Sequence, residues 1–168
     1  MPTFIKINST TVGSGGAASI DFTSIPDTYT DLLLKVSGRS TESDNASSLR
    51  VYFNSDTSNV QVTELRGAGT VVASYRITYP QQGYVGATSS TASTFGSADI
   101  YIANYASTKQ KSTSAEIVMP STTAGHNYEI LSNRTWEITS AITTITIAPG
   151  AGNWVENTIA SLYGIKNS

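Results

Sequence analysis

Apolar and polar residues alternate one by one through most of this chain, and that rhythm restricts the fold more than any other feature. Leu49, Val51 and Phe53 interleave with Arg50, Tyr52 and Asn54, and Ala98, Ile100 and Ile102 interleave with Asp99, Tyr101 and Ala103. Ala115, Ile117 and Met119 alternate in the same way with Ser114, Glu116 and Val118. Successive side chains of an extended strand point to opposite faces of its sheet, so each segment carries one apolar row and one polar row. The polar rows are mostly hydroxyls: the 168 residues include 24 Ser and 24 Thr, whereas only 13% are charged. Threonine suits exposed strand positions, which is the simpler account of its abundance. The functional alternative is a wide uncharged face that packs against another protein or binds sugar.

Turn residues break the pattern at Gly13-Ser14-Gly15-Gly16, Ile25-Pro26-Asp27, Gly67-Ala68-Gly69 and Pro149-Gly150. About ten strands result, spaced roughly 10 to 15 residues apart, which is the pattern of an all-β sandwich. No helical periodicity intervenes, so βαβ units are excluded. The chain reads as all-β: one β-sandwich domain over residues 1–168, jelly-roll-like, with about 8–10 antiparallel strands in two sheets of about four each. Residues 81–97 predict a long uncharged loop rich in Ser and Thr, and a loop of that length is usually functional or faces an assembly. Residues 106–112 are the one place where a helical turn is expected. Charge is too scarce to protect the sheet edges, which points to faces or edges covered by neighbouring copies.

Several function classes lose their footing on composition. The chain has no Cys and therefore no disulfide framework and no thiolate chemistry. A net charge of −2 offers no attraction for nucleic acid or an anionic membrane. No stretch approaches the roughly 20 apolar residues that cross a bilayer. The opening Met1-Pro2-Thr3-Phe4-Ile5-Lys6 lacks the charged start and apolar run of a signal peptide. The single histidine, His126, has no G-x-S-x-G elbow to serve, and alone it cannot hold zinc. Glu42 and Asp44 in one loop and Asp56 in the next are oxygen ligands of the kind calcium takes, but EF-hand spacing is absent and a solvated loop explains them more simply. The sequence predicts no enzyme and no catalytic, cofactor or metal site.

Aromatic residues remain as candidates for contact, because rings stack on sugars and tyrosine combines area with a polar tip. Trp154, in the Gly-rich turn that starts at Gly150, reads as partly exposed. Trp136 lies in a strand and reads first as core, with contact second. Tyr84 lies in the expected Ser/Thr loop and, with Trp154, outlines a possible sugar platform. Tyr105 is the fourth candidate contact residue.

Three stretches carry a resemblance. The first is Phe22-Thr23-Ser24-Ile25-Pro26-Asp27-Thr28-Tyr29-Thr30-Asp31-Leu32, and the second is Asp99-Ile100-Tyr101-Ile102-Ala103-Asn104-Tyr105. The third is discontinuous, from Trp136 through Ser140-Ala141-Ile142-Thr143-Thr144-Ile145-Thr146-Ile147 and Gly152-Asn153-Trp154 to Ser161-Leu162-Tyr163-Gly164-Ile165-Lys166. Together they resemble a family of β-sandwich virion proteins of tailed bacteriophages, particularly those of marine and cyanobacterial hosts. The resemblance implies a jelly-roll capsid decoration or fibre-type protein and brings no site residues with it. A short chain without a coiled-coil shaft favours the decoration (cement) protein, bound to the major capsid protein or other virion proteins. A homo-oligomer, trimeric by preference, is expected on the virion after synthesis in the host cytoplasm. The alternative is a tail-fibre module that recognises host glycans.

Overall fold

The computed structural model describes residues 3–166, so Met1 and Pro2 of the N-terminal reading lie outside the described residues. In chain order the first strands are β1 (Thr3–Thr11), β2 (Ile20–Phe22), β3 (Asp31–Gly38) and β4 (Ala46–Phe53). They continue as β5 (Val60–Ala68), β6 (Val71–Ile77), β7 (Gln81–Gly86) and β8 (Gly96–Ile102). The last four are β9 (Lys111–Met119), β10 (Tyr128–Trp136), β11 (Ile145–Pro149) and β12 (Ile159–Lys166). One sheet has eight strands, in the order β1-β12-β3-β8-β9-β10-β5-β6, and the other has four, in the order β2-β11-β4-β7. Every pairing between these strands is antiparallel. The protein is a β-sandwich.

The strand order is that of a jelly roll with additions. From β2 onward the chain crosses between sheets at β2, β3, β4, β5, then forms the β5–β6 hairpin and crosses again at β7, β8 and β11. The small sheet holds β2, β11, β4 and β7; their partners β3, β8, β5 and β6 keep the corresponding order in the large one. The β9–β10 hairpin is inserted between β8 and β5, and β12 with β1 extends the sheet beyond β3. These additions make twelve strands of the expected eight to ten, and they turn two equal sheets into unequal ones.

Alternation does what the sequence leads one to expect. Along β4, Ser47, Leu49, Val51 and Phe53 are buried while Arg50 and Tyr52 face outward; β9 buries every second residue from Lys111 to Met119. The inner rows form one core, in which Leu32, Leu34, Leu49, Val51, Ile100 and Ile102 are among the members. Trp136 stands edge-on to Phe53 with ring centroids 5.7 Å apart. Two local expectations fail. Residues 81–86 are a strand, β7, because a bulge at Gln82 shifts its register against β4 and erases the period-two signal. Residues 103–109 form turns and bends without a helix, with Asn104 in the left-handed region (φ 49°).

Residues 26–31, 101–105 and 164 meet at one corner. Tyr105 donates its hydroxyl to the Pro26 carbonyl, and the buried Asp31 accepts from the Tyr101 hydroxyl and the Asn104 amide, both at 2.7 Å. The Tyr29 ring lies directly against Gly164, where an added Cβ would stand 2.3 Å from the ring. That contact explains a glycine in the middle of β12 (close approach, with no turn to make). Gly164→Ala is therefore expected to eject the Tyr29 ring and cost about 1–3 kcal/mol, as overpacking does. A urea midpoint equal to that of the unaltered protein would contradict this packing.

Candidate functional site

Of the four aromatic candidates, the structure leaves one at the surface. Trp154 is fully buried, a correction to its expected exposure. Its backbone bridges Ala17 and Ser40, and its indole N–H donates to the Ile147 carbonyl at 3.1 Å. The Gly-rich turn that looked exposed folds its Trp under the loops at one end of the sandwich. Trp136 and Tyr105 are buried as well, each held by a hydrogen bond from its polar atom, so neither is a surface contact. Tyr84 alone is half-buried. It sits 4.4 Å from the Arg66 guanidinium and edge-on to Tyr128 at 5.6 Å, and Arg66 is ion-paired with the buried Glu64 at 2.5 Å.

The Ser/Thr loop has an internal anchor with no signature in the sequence. What remains of it, residues 87–95, wraps the Arg39 guanidinium. Arg39 donates to the Ser90 hydroxyl at 2.9 Å and to the carbonyls of Thr91 at 2.8 Å and Thr94 at 3.1 Å. Longer bonds reach the carbonyls of Ser90 and Thr88. Removal from water lowers the pKa of Arg39, and these charge-assisted bonds hold it in place. The loop's polar atoms are thus spent on the protein itself. A sugar platform of Trp154, Tyr84 and this loop is not formed.

The carboxylates are separated in the same way. Glu42 and Asp44 precede β4, whereas Asp56 follows it, and a strand of this length holds its ends roughly 20 Å or more apart. No group of three potential metal ligands occurs among the described residues. Asp56 has a different task. It accepts from the Trp136 indole at 2.7 Å, the Ser58 amide at 3.1 Å and the Asn59 side chain at 3.1 Å. Burial by itself would raise its pKa, but these bonds favour the anion and hold it at about 2, against an ordinary 3.8. His126 bonds its Nδ1 to the Ala124 carbonyl at 3.1 Å and tilts toward Tyr128.

The outer face of the eight-stranded sheet is where apolar area is left over. Strand register aligns Ser74, Leu65, Leu131, Glu116, Asp99 and Lys35 in one row across β6, β5, β10, β9, β8 and β3. The neighbouring row places Val72, Gly67, Glu129 and Val118 side by side. Leu65, Val72, Val118 and Leu131 therefore form one contiguous group, exposed at 47%, 72%, 40% and 54%. A shallow hollow of about 190 Å³ lies among Leu65, Gly67, Val72, Glu129 and Leu131. Val72 carries the group onto the free edge strand β6, where Arg76 is the one charge and where Val71 and Tyr75 are exposed on the opposite face. Unpaired, apolar strand edges of this kind invite pairing with another chain.

No family model, curated protein or solved structure matches the chain.

Because the Asp56 carboxyl is more acidic folded than unfolded, its stabilising share is complete above pH 3.8 and is lost as pH falls through about 2. Asp56→Asn is expected to lower the urea midpoint at pH 6, with the gap to the unaltered protein closing toward pH 2. A gap that is constant across that range would refute the assignment. Asp56→Ala, which leaves the Trp136 indole unpaired, is expected to cost about 1–3 kcal/mol at pH 7.

Proposed function

We propose that the protein is a structural component of a tailed-phage virion, a capsid decoration (cement) protein that docks through the outer face of its eight-stranded sheet. The observation that carries this reading is the contiguous group Leu65, Val72, Val118 and Leu131, continuous with the unpaired β6 edge. Apolar residues gathered at a sheet margin, with a rim of two carboxylates, suit burial against protein. The resemblance of the corner segments to phage virion proteins supplies the setting. The jelly roll supports it only at the level of architecture, since one fold serves many functions.

Docking in this reading combines two kinds of contact. The β6 edge offers backbone N–H and C=O groups for strand addition, and the leucine and valine rows supply area removed from water. Glu129 and Glu116 border the group and set orientation rather than affinity. Each contact is modest, and repetition around a shell multiplies its effect. Self-association through the same edge, trimeric by preference, fits the shortage of protecting charge.

The test is a double substitution on the exposed face. Leu65→Thr with Leu131→Thr removes both leucines of a directly opposed pair from the outer surface with strand-compatible residues, where the folded core is untouched. Cosedimentation with purified capsids is expected to fall roughly tenfold or more, while the thermal midpoint moves little. Undiminished capsid binding by a folded double variant would defeat this docking face. Binding to host cells with none to capsids would defeat the decoration role and favour the tail-fibre alternative.

A further inference from the structure

The outer face of the four-stranded sheet has a hollow of its own, with a volume of about 380 Å³ and a lining of Arg50, Tyr52, Thr57, Tyr79 and Pro80. Its size falls within the range of small-ligand sites. Arg50 and Tyr52 are successive outward residues of β4, and Tyr79 with Pro80 enters from the β6–β7 connection, fixed by a bond from the Val51 amide to the Pro80 carbonyl at 2.9 Å. The walls are therefore two phenol rings and a pyrrolidine. The sole charge in the lining is Arg50, and no carboxylate lies within ion-pair distance of it among the described residues.

Two buried donors beside the hollow lack an acceptor. The Nε of Arg50 is shielded from solvent and makes no hydrogen bond. Directly across the strand pair is Gln81, fully buried, whose Oε1 accepts from the Ser48 hydroxyl at 2.7 Å and the Tyr79 hydroxyl at 3.1 Å. Those two bonds fix the amide, and its Nε2 is left without a partner. Both of these atoms are sealed from the hollow; the donors open to it are the terminal nitrogens of the Arg50 guanidinium, which make no hydrogen bond among the described residues and call for an anionic acceptor. A carboxylate fits, since a guanidinium can engage both of its oxygens. The rings of Tyr52 and Tyr79 offer flat apolar faces of the kind that stack on a sugar ring.

We propose that this hollow binds a sugar bearing a carboxylate, a hexuronate-type residue of an acidic polysaccharide. Arg50 receives the carboxylate on its terminal nitrogens, and Tyr52 and Tyr79 hold the ring. The site is on the opposite side of the sandwich from the Leu65–Leu131 face, so a copy docked by that face would leave the hollow open. The inference stands apart from the capsid-docking reading, and the two fail separately.

Calorimetric titration of the full chain with a galacturonate tetramer tests it, alongside the neutral galactose tetramer and a tetra-glutamate peptide. The expected result is saturable binding of the galacturonate alone, weakened roughly tenfold or more by Arg50→Ala while capsid cosedimentation is unchanged. Thr57→Trp, which fills the hollow and keeps Arg50 in the chain, is expected to abolish binding as well and covers the case in which Arg50→Ala fails to fold. No heat with galacturonate, equal binding of the neutral tetramer, or binding that survives both variants would overturn the proposal. Binding of tetra-glutamate as tight as that of galacturonate would overturn it too, because the hollow would then be a socket for an acidic protein segment.

Discussion

Four strands cannot cover eight, and most of what is distinctive in this molecule follows from that mismatch. The small sheet ends at β7, which packs against β8, β9, β10 and β5. Beyond it the large sheet continues to β6, whose inner face is left with Val71 and Tyr75 exposed. On the two strands nearest β6, the positions that alternation marks as inward are only partly apolar. On β5 the inward row passes from Val60 and Val62 to Glu64 and Arg66, and on β10 from Trp136 to Arg134 and Ser132.

Charges at that margin are buried but not all paired. Arg134 donates to the Val51 carbonyl and lies over the Phe53 ring at 4.3 Å, and burial lowers its pKa to about 9 despite the nearby Asp56. Its Nε and Nη2, and the Oε2 of Glu64, have no partner in the protein. Each such atom costs about 1–3 kcal/mol relative to a satisfied one. The fold carries that cost next to the same strands whose outer side offers Leu65 and Leu131. Both faces of the β5–β10 region thus depart from a simple greasy-in, hydroxyl-out sheet, and the departure coincides with the edge that lacks a neighbour.

The legible part of the sequence was the alternation itself. Strands such as 49–53, 98–102 and 115–119 announce themselves because their inner rows meet an apolar core and their outer rows meet water. β7 was hidden because Gln81-Gln82-Gly83 has no alternation: the bulge puts consecutive residues into buried sites. Trp154 was misjudged for a related reason. Its local sequence, rich in Gly and Asn, describes a turn, while its burial depends on β11, Ala17 and Ser40, which are distant in the chain. The Arg39 anchor could not be read at all, since a lone arginine carries no mark of the five hydroxyl and carbonyl oxygens that will surround it.

Sequence alone determined the class of structure: two-residue periodicity permits only sheets with one buried face, and the polar rows make the other face rich in hydroxyls with scattered charges. Tertiary structure decided everything that depends on which rows become neighbours. Strand order placed Leu65 beside Leu131, Arg50 beside Gln81, and Asp56 beyond reach of Glu42 and Asp44. A strand's own residues set which way its side chains point, but only the register of its partners sets what they meet.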